Sequence, residues 1–487
     1  MKLLIVGGYG IFGGRIVELL ENEPRLTLLV AGRSLGKAEA FCRTRIDAKA
    51  GLIPTVFDRD GDLDAQLAAL RPAIVVDASG PFQAYGEGRY RLIEACIAAR
   101  VAYLDLADGS DFVAGVAAFD PAAKQAGVFV LSGVSSFPVL TAAVVRRLSS
   151  GMARIDSVRG GIAPSPFAGV GENVIRAIAS YSGQPVQLTR NGKPAEGRPL
   201  TEQMRYTIAP PGRVPVRNTL FSLVDVPDLR ALAELWPEAK TIWMGAGPVP
   251  ELLHRALIGL AWLVRAGLVR SLSPLAPLMH WASNRLAWGE HRGGMFVAVE
   301  GADKAGRPAK RSWHLLAEGS DGPLIPAMAV EAIIRKALDG LAPTPGARAA
   351  AGDLELEDYE ALFASKTIYT GFRDDREDEG KALYPGLLGD AWPRLPAQIR
   401  AMHGGTTSAE GRASVERGNG MLSRLAAWLV GFPAAQADTP VKVRFEIGKD
   451  GEIWTRRFGT HSFSSRQFAG QGRACGDFFT HYNLCGL

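Results

Sequence analysis

Short apolar runs alternate with amphipathic stretches through the first 150 residues. The runs are Lys2–Val6, Leu26–Val30, Ile53–Phe57, Ala73–Asp77, Ala102–Leu106 and Val128–Ser132, and helical patterns lie between them, most plainly Ile11–Glu21, Glu87–Ala99 and Pro121–Ala126. This alternation predicts a parallel sheet covered by helices on both faces. Six strands with five crossovers make a full doubly wound unit.

From about residue 154 the pattern changes. Val214–Val224, Met295–Glu300 and Arg311–Ala317 read as strands, and Asn191-Gly192 and Gly301–Gly306 as hairpin connections. A helix should run from about Pro326 to Leu338. Pro343–Gly352, small and flexible in composition, and the densely charged Arg373–Lys381 read as linkers. A helix around Met421–Val430 and a hairpin of Val441–Ile447 and Glu452–Phe458 follow, and the alternation dissolves after Gln467 into an irregular tail. Three domains result: 1–150, an α/β nucleotide-binding domain; 151–370, an α+β substrate and dimerisation domain; and 383–487, a small α+β domain. No internal repeat is visible.

Composition narrows the class. The chain has 487 residues, 47% of them hydrophobic and 22% charged, the balance of a soluble globular protein. Its 55 basic and 50 acidic side chains contain no long Lys/Arg block, which argues against a nucleic-acid partner. Four cysteines point to a reducing compartment, and the expectation is a cytoplasmic protein. Glycines interrupt the apolar N-terminus too early for a signal peptide. The histidines at 254, 280, 291, 314, 403, 461 and 481 lack metal-ligand spacing, so no metal site is expected. His403 beside Gly404-Gly405 reads as an ordinary loop histidine.

The strongest chemical signal is Gly7-Gly8-Tyr9-Gly10-Ile11-Phe12-Gly13, a G-x-G-x-x-G at Gly8, Gly10 and Gly13 between a predicted strand and helix. Gly8 permits the tight turn, Gly10 lets backbone approach a pyrophosphate, and Gly13 lets the helix pack closely on the sheet. The helix N-terminus then offers free N–H groups to the phosphates. This is the Rossmann arrangement. About 20 residues on, where NAD sites carry an acid for the ribose hydroxyls, stand Arg33, Ser34 and Lys37. A fork, a hydroxyl and a second cation suit the 2′-phosphate of NADP(H). Asp58 ends the third strand, where it either meets the adenine side or caps a helix. Ala78-Ser79-Gly80-Pro81 ends the fourth, on the path to the nicotinamide. Asp105, ending the fifth, is the best candidate general acid, with strand-end capping as its plainer role and Tyr103 and Asp108 as weaker choices.

On Gly7–Gly13, Arg33-Ser34, Val75–Phe82, Tyr103–Asp105 and Gly133–Pro138, with weaker support from Gly322–Pro326 and Leu356–Tyr359, the chain resembles the saccharopine dehydrogenase-like family over roughly residues 1–370. Residues from about 383 resemble DUF4166, on Leu383-Tyr384-Pro385, His403-Gly404-Gly405 and the Val441–Phe458 hairpin, and that domain looks cut short. The resemblance implies an NADP-linked oxidoreductase, often dimeric, that reduces a C=N, C=O or C=C bond of a small or lipid-like substrate. The acidic loop of saccharopine-forming members is here Gly133-Val134-Ser135-Ser136-Phe137-Pro138, without an acid, so saccharopine itself is not the expected substrate. A non-catalytic NADP(H)-binding sensor or scaffold is the alternative. Glu251–Val269 is apolar on most faces and is expected to be buried against another subunit or the core; a membrane-surface helix or the wall of a channel for an acyl substrate is the alternative.

Overall fold

The computed structural model describes residues 1–374 except 170, 249 and 287, then 382–416, 435–448, 451–459, 461–469 and 478–482, with isolated positions between 418 and 424. The chain packs as two units, Met1–Ile208 with Val216–Thr370, and Ala209–Pro215 with Gly371–Leu487. The expected Met421–Val430 helix and most of the charged Arg373–Lys381 segment lie largely outside the described residues.

Six short strands open the first unit: β1 (Lys2–Val6), β2 (Thr27–Gly32), β3 (Gly51–Val56), β4 (Ile74–Asp77), β5 (Ala102–Asp105) and β6 (Phe129–Ser132). All pair in parallel, in the spatial order β3-β2-β1-β4-β5-β6. Alternate residues feed opposite faces: Leu3, Ile5, Leu28 and Val76 enter one core, and Leu4, Val6, Leu29 and Val75 the other. Each such side chain, fully buried, contributes about 1.5–3 kcal/mol, so neither face can be left to solvent. Helices α1 (Ile11–Leu20) and α2 (Leu35–Arg43) are the first two crossovers.

The 343–352 segment corrects the sequence reading. Rather than a linker, Gly346–Ala349 forms a seventh strand parallel to β6, with Gly346 beside Phe129. The Ala347 N–H donates to Asp120 Oδ1 at 3.1 Å, and a Cβ on Gly346 would come within 2.6 Å of that oxygen. Glycine is required at 346 by this tight fit, and the small residues around it are what make the segment resemble a linker.

Six strands of a second sheet follow in the first unit, among them the long strands Met152–Ala163, Arg292–Asp303 and Pro308–Glu318. The expected Asn191-Gly192 turn joins the hairpin Val186–Arg190/Lys193–Gly197, both turn residues having positive φ. In the second unit, Thr407–Val415, Gln436–Gly448, Gly451–Phe458, His461–Ala469 and Phe478–Tyr482 form an antiparallel sheet in that order. Phe478–Tyr482 corrects the expected irregular tail: Tyr482 pairs with Ser465 in register.

Candidate functional site: the carboxyl ends of the parallel strands

β1 ends in a turn that only glycine can make. Gly7 has φ of 77°, and a Cβ there would meet Ala78 O at 2.9 Å, so the β4 end lies directly against the turn. A Cβ on Gly13 would lie 2.1 Å from Gly7 O, and one on Gly8 2.9 Å from Ile5 O. Gly10 is the N-cap of α1 and supplies no side-chain cap, which leaves the first-turn N–H groups to an outside acceptor. Free N–H groups at such a helix start can take an anion. Ile11 is exposed beside it, and Phe12 carries the Arg15 guanidinium over its ring.

Tyr9 connects this turn to the next loop. Its ring lies over Gly32, where a Cβ would fall 2.4 Å from the hydroxyl, and its hydroxyl accepts the Ser34 N–H at 3.1 Å. Ser34 caps α2, accepting the Lys37 N–H at 3.4 Å, and the first turn of α2 has no acid. Arg33 and Lys37 have no carboxylate partner among the described residues. Asp58, after β3, accepts the Asp60 N–H in its own turn at 3.1 Å, while its backbone is held by Gln66.

After β4, Ser79 donates its N–H and Oγ–H to the fully buried Asp77 at 3.0 and 2.5 Å. Arg59 reaches the same carboxylate at 3.3 Å and stacks on Tyr85, 3.3 Å from the ring centroid. Asn173 Nδ2 donates to Gly80 O at 2.7 Å, fixing the backbone of Ala78–Pro81 from the helix Glu172–Tyr181. The sequence reading missed Arg59, Tyr85 and Asn173, since none sits in a motif.

Asp105 is wholly buried. Its Oδ1 accepts Ser132 Oγ–H at 2.9 Å and the N–H groups of Gly133 and Ala107 at 2.8 and 3.0 Å, tying the ends of β5 and β6 together. Among the described residues its Oδ2 has no partner. Burial pushes the carboxyl up to about 7, against the pull of those three bonds. Asp108, three residues on, is partly exposed and accepts from Gln83 Nε2 at 2.9 Å; burial raises its carboxyl as well. Asp225 lies near enough that Asp108 and Asp111 add to the effect of burial, which lifts it to about 6. The Tyr181 hydroxyl is raised by burial and then by Asp108 and Asp225. Asp108, Asp225 and Tyr181, drawn from three separate segments that sequence spacing does not connect, thus lie near enough to raise one another's proton affinity.

Beside Ile11 opens a cleft of about 660 Å³, lined by Gly169, His280, Trp281, Asn284 and Arg285.

The second unit holds a separate cluster. His403, expected to be an ordinary loop residue, ends the helix Ala397–His403, and its Nδ1 meets Glu452 Oε1 at 2.7 Å. Trp454 Nε1–H donates to the same oxygen at 2.9 Å, and the Trp454 ring stacks on the imidazole, which also packs against Tyr384 and Phe445. Glu452 Oε2 has no partner among the described residues.

Glycine turn, parallel order and converging strand ends define the first unit's opening sheet as a Rossmann-type, doubly wound sheet. Residues 3–131 match the family model of the saccharopine dehydrogenase NADP binding domain, and residues 395–482 match that of a domain of unknown function, DUF4166. The DUF4166 match thus runs through the Phe478–Tyr482 strand. Among solved structures, apo saccharopine dehydrogenase (L-Glu forming) from Saccharomyces cerevisiae is similar at 14% identity and a TM-score of 0.53, over 77% of this chain and 99% of that one. This likeness shows a shared fold. A probable dehydrogenase from Thermotoga maritima (10% identity, 76% of this chain and 98% of that one, TM-score 0.36) is more distant. So is the WlbA dehydrogenase from Thermus thermophilus in complex with NAD and alpha-ketoglutarate (12%, 75% and 93%, 0.33). Comparison with curated proteins finds no match.

Proposed function

We propose that the first unit is an NADPH-dependent reductase of a C=N, C=O or C=C bond in a small or lipid-like substrate. The observation that carries the cofactor choice is the start of α2. Arg33 and Lys37, without carboxylate partners among the described residues, flank a helix N-terminus that has no acid in its first turn. An acid there would repel a 2′-phosphate, whereas this arrangement attracts one.

Bound NADPH supplies the hydride. The chain's own residues do the rest. The α1 amides and the Gly7–Gly13 turn hold the pyrophosphate, Asp58 borders the adenine side, and Ala78–Pro81, fixed by Asn173, borders the nicotinamide. Asp105 serves as a positioning residue that holds the loop after β6. The donor role is better supported for Asp108, which is partly exposed, accepts from Gln83 and has its proton affinity raised by burial, with Asp225 and Tyr181 near enough to feel its charge. The loop Gly133–Pro138 carries no acid and is largely buried, which speaks against saccharopine as substrate. The test is NADPH oxidation against a panel of imines, carbonyls and enoyl thioesters: turnover of one class supports the reading. Tight NADPH binding with no turnover of any would favour a non-catalytic sensor.

A further inference from the structure

The segment Glu251–Trp288 forms two helices, Glu251–Arg265 and Ala276–Arg285, joined by a short connection. Only one side of it is covered: Val264, Leu272 and Ala276 pack with Ile175 and Ala179 of the helix Glu172–Tyr181. The other side leaves Trp262, Leu268, Leu278, Trp281, Leu286 and Trp288 exposed, with Leu268 75% and Leu278 60% accessible. Burial within the chain itself therefore covers this segment only in part. So many large apolar groups on adjoining helices are more than the scattered exposure of an ordinary surface.

Charge says what covers them. Residues 252–289 contain Arg255, Arg265, Arg270 and Arg285 and no Asp or Glu. Glu251, at the start, is already paired with Arg205 and Arg255, and Glu290, just beyond, with Arg292. Arg265, Arg270 and Arg285 have no carboxylate partner among the described residues; Arg265 instead binds Thr201 Oγ1 and lies over Trp262. A second copy docked on this face by a two-fold axis would set arginines against arginines with no acid to meet them. A bilayer surface meets all three features at once. Phosphates take the arginines, tryptophans favour the headgroup level, and leucines enter the acyl boundary. No described helix is long and apolar enough to cross a membrane.

We propose that this helical hairpin is a docking surface for anionic phospholipid bilayers, lying in the headgroup plane. Trp281 and Arg285 also line the cleft beside Ile11, so docking brings that cleft's edge to the lipid.

The experiment is flotation of the full chain with vesicles of phosphatidylcholine, alone or with roughly one-third phosphatidylglycerol. The protein should float with the anionic vesicles, with partitioning more than about 10-fold above that to neutral ones and weakened by salt. Leu268→Glu with Leu278→Glu should lower partitioning by more than about 10-fold, since two inserted leucines are lost. Arg270→Glu, at an exposed and unpaired position, should lower it several-fold. Absence of flotation, or flotation unchanged in both variants, overturns the proposal. It is equally overturned if sedimentation shows a dimer that the leucine variant splits, because the face is then a subunit interface.

Discussion

The Tyr9 hydroxyl accepts the backbone N–H of Ser34 at 3.1 Å, so the pyrophosphate turn and the loop that begins α2 are held as one piece. Tyr9→Phe should release the second loop from the first. One neutral hydrogen bond contributes about 0.5–1.5 kcal/mol, so NADPH affinity should fall roughly 2- to 10-fold with the thermal midpoint little changed. Titration calorimetry checks it; an unchanged affinity would show that the two loops are positioned independently.

Gly13 and Gly36 separate close approach from helix propensity. A Cβ at 13 would sit 2.1 Å from Gly7 O, whereas one at 36 meets nothing within 4 Å. Gly13→Ala should abolish NADPH binding and lower the melting temperature. Gly36→Ala, inside α2, should be neutral or stabilise by up to about 1 kcal/mol. Equal behaviour of the two variants in binding would remove the case for the close turn.

Asp105 makes stability depend on pH in a defined direction. Burial pushes its carboxyl up to about 7 in the folded chain from an ordinary 3.8, so between those limits the folded state keeps a proton that the unfolded chain releases. This contribution is full below about pH 4 and declines as pH rises to 7, by at most about 1.4 kcal/mol per pH unit for one proton. Asp105→Asn cannot titrate. The stability gap between wild type and variant, from urea unfolding, should therefore shift against the wild type between pH 5 and pH 8. Parallel pH profiles for both proteins would contradict the assignment.

In the second unit, Glu452 accepts from both His403 and Trp454. Glu452→Ala strands two half-buried donors, and each unsatisfied group costs up to about 1–3 kcal/mol. Loss of the unit's fold at lower urea, followed by protease sensitivity of residues 395–469, is the expected result. A variant as resistant as the wild type would mean that water serves both donors.

Much of the first sheet was legible because each strand is a short apolar run with a glycine-rich or polar end. The glycine turn shared that clarity, because the close approaches at Gly7 and Gly13 admit no side chain. Gly346–Ala349 was hidden because it is only four residues long, with Gly346 pressed against Asp120 and Arg348 in its middle, and so carries no apolar run. The expected Glu87–Ala99 helix begins only at Arg91, after turn residues that include Gly86 at positive φ. Asp108, Asp225 and Tyr181 escaped for another reason. Tertiary packing alone brings them near one another, and burial, not residue type, gives them their proton affinity.

The proposed preference for NADPH stands or falls on Arg33. The most direct test is the dissociation constant of NADPH and of NADH for wild type and Arg33→Ala, measured side by side at one ionic strength. Losing a bidentate, charge-assisted contact of about 1.5–3 kcal/mol should weaken NADPH roughly 10- to 100-fold and leave NADH almost unchanged. Equal weakening of both cofactors, or a wild type that already binds NADH as tightly as NADPH, would contradict the assignment.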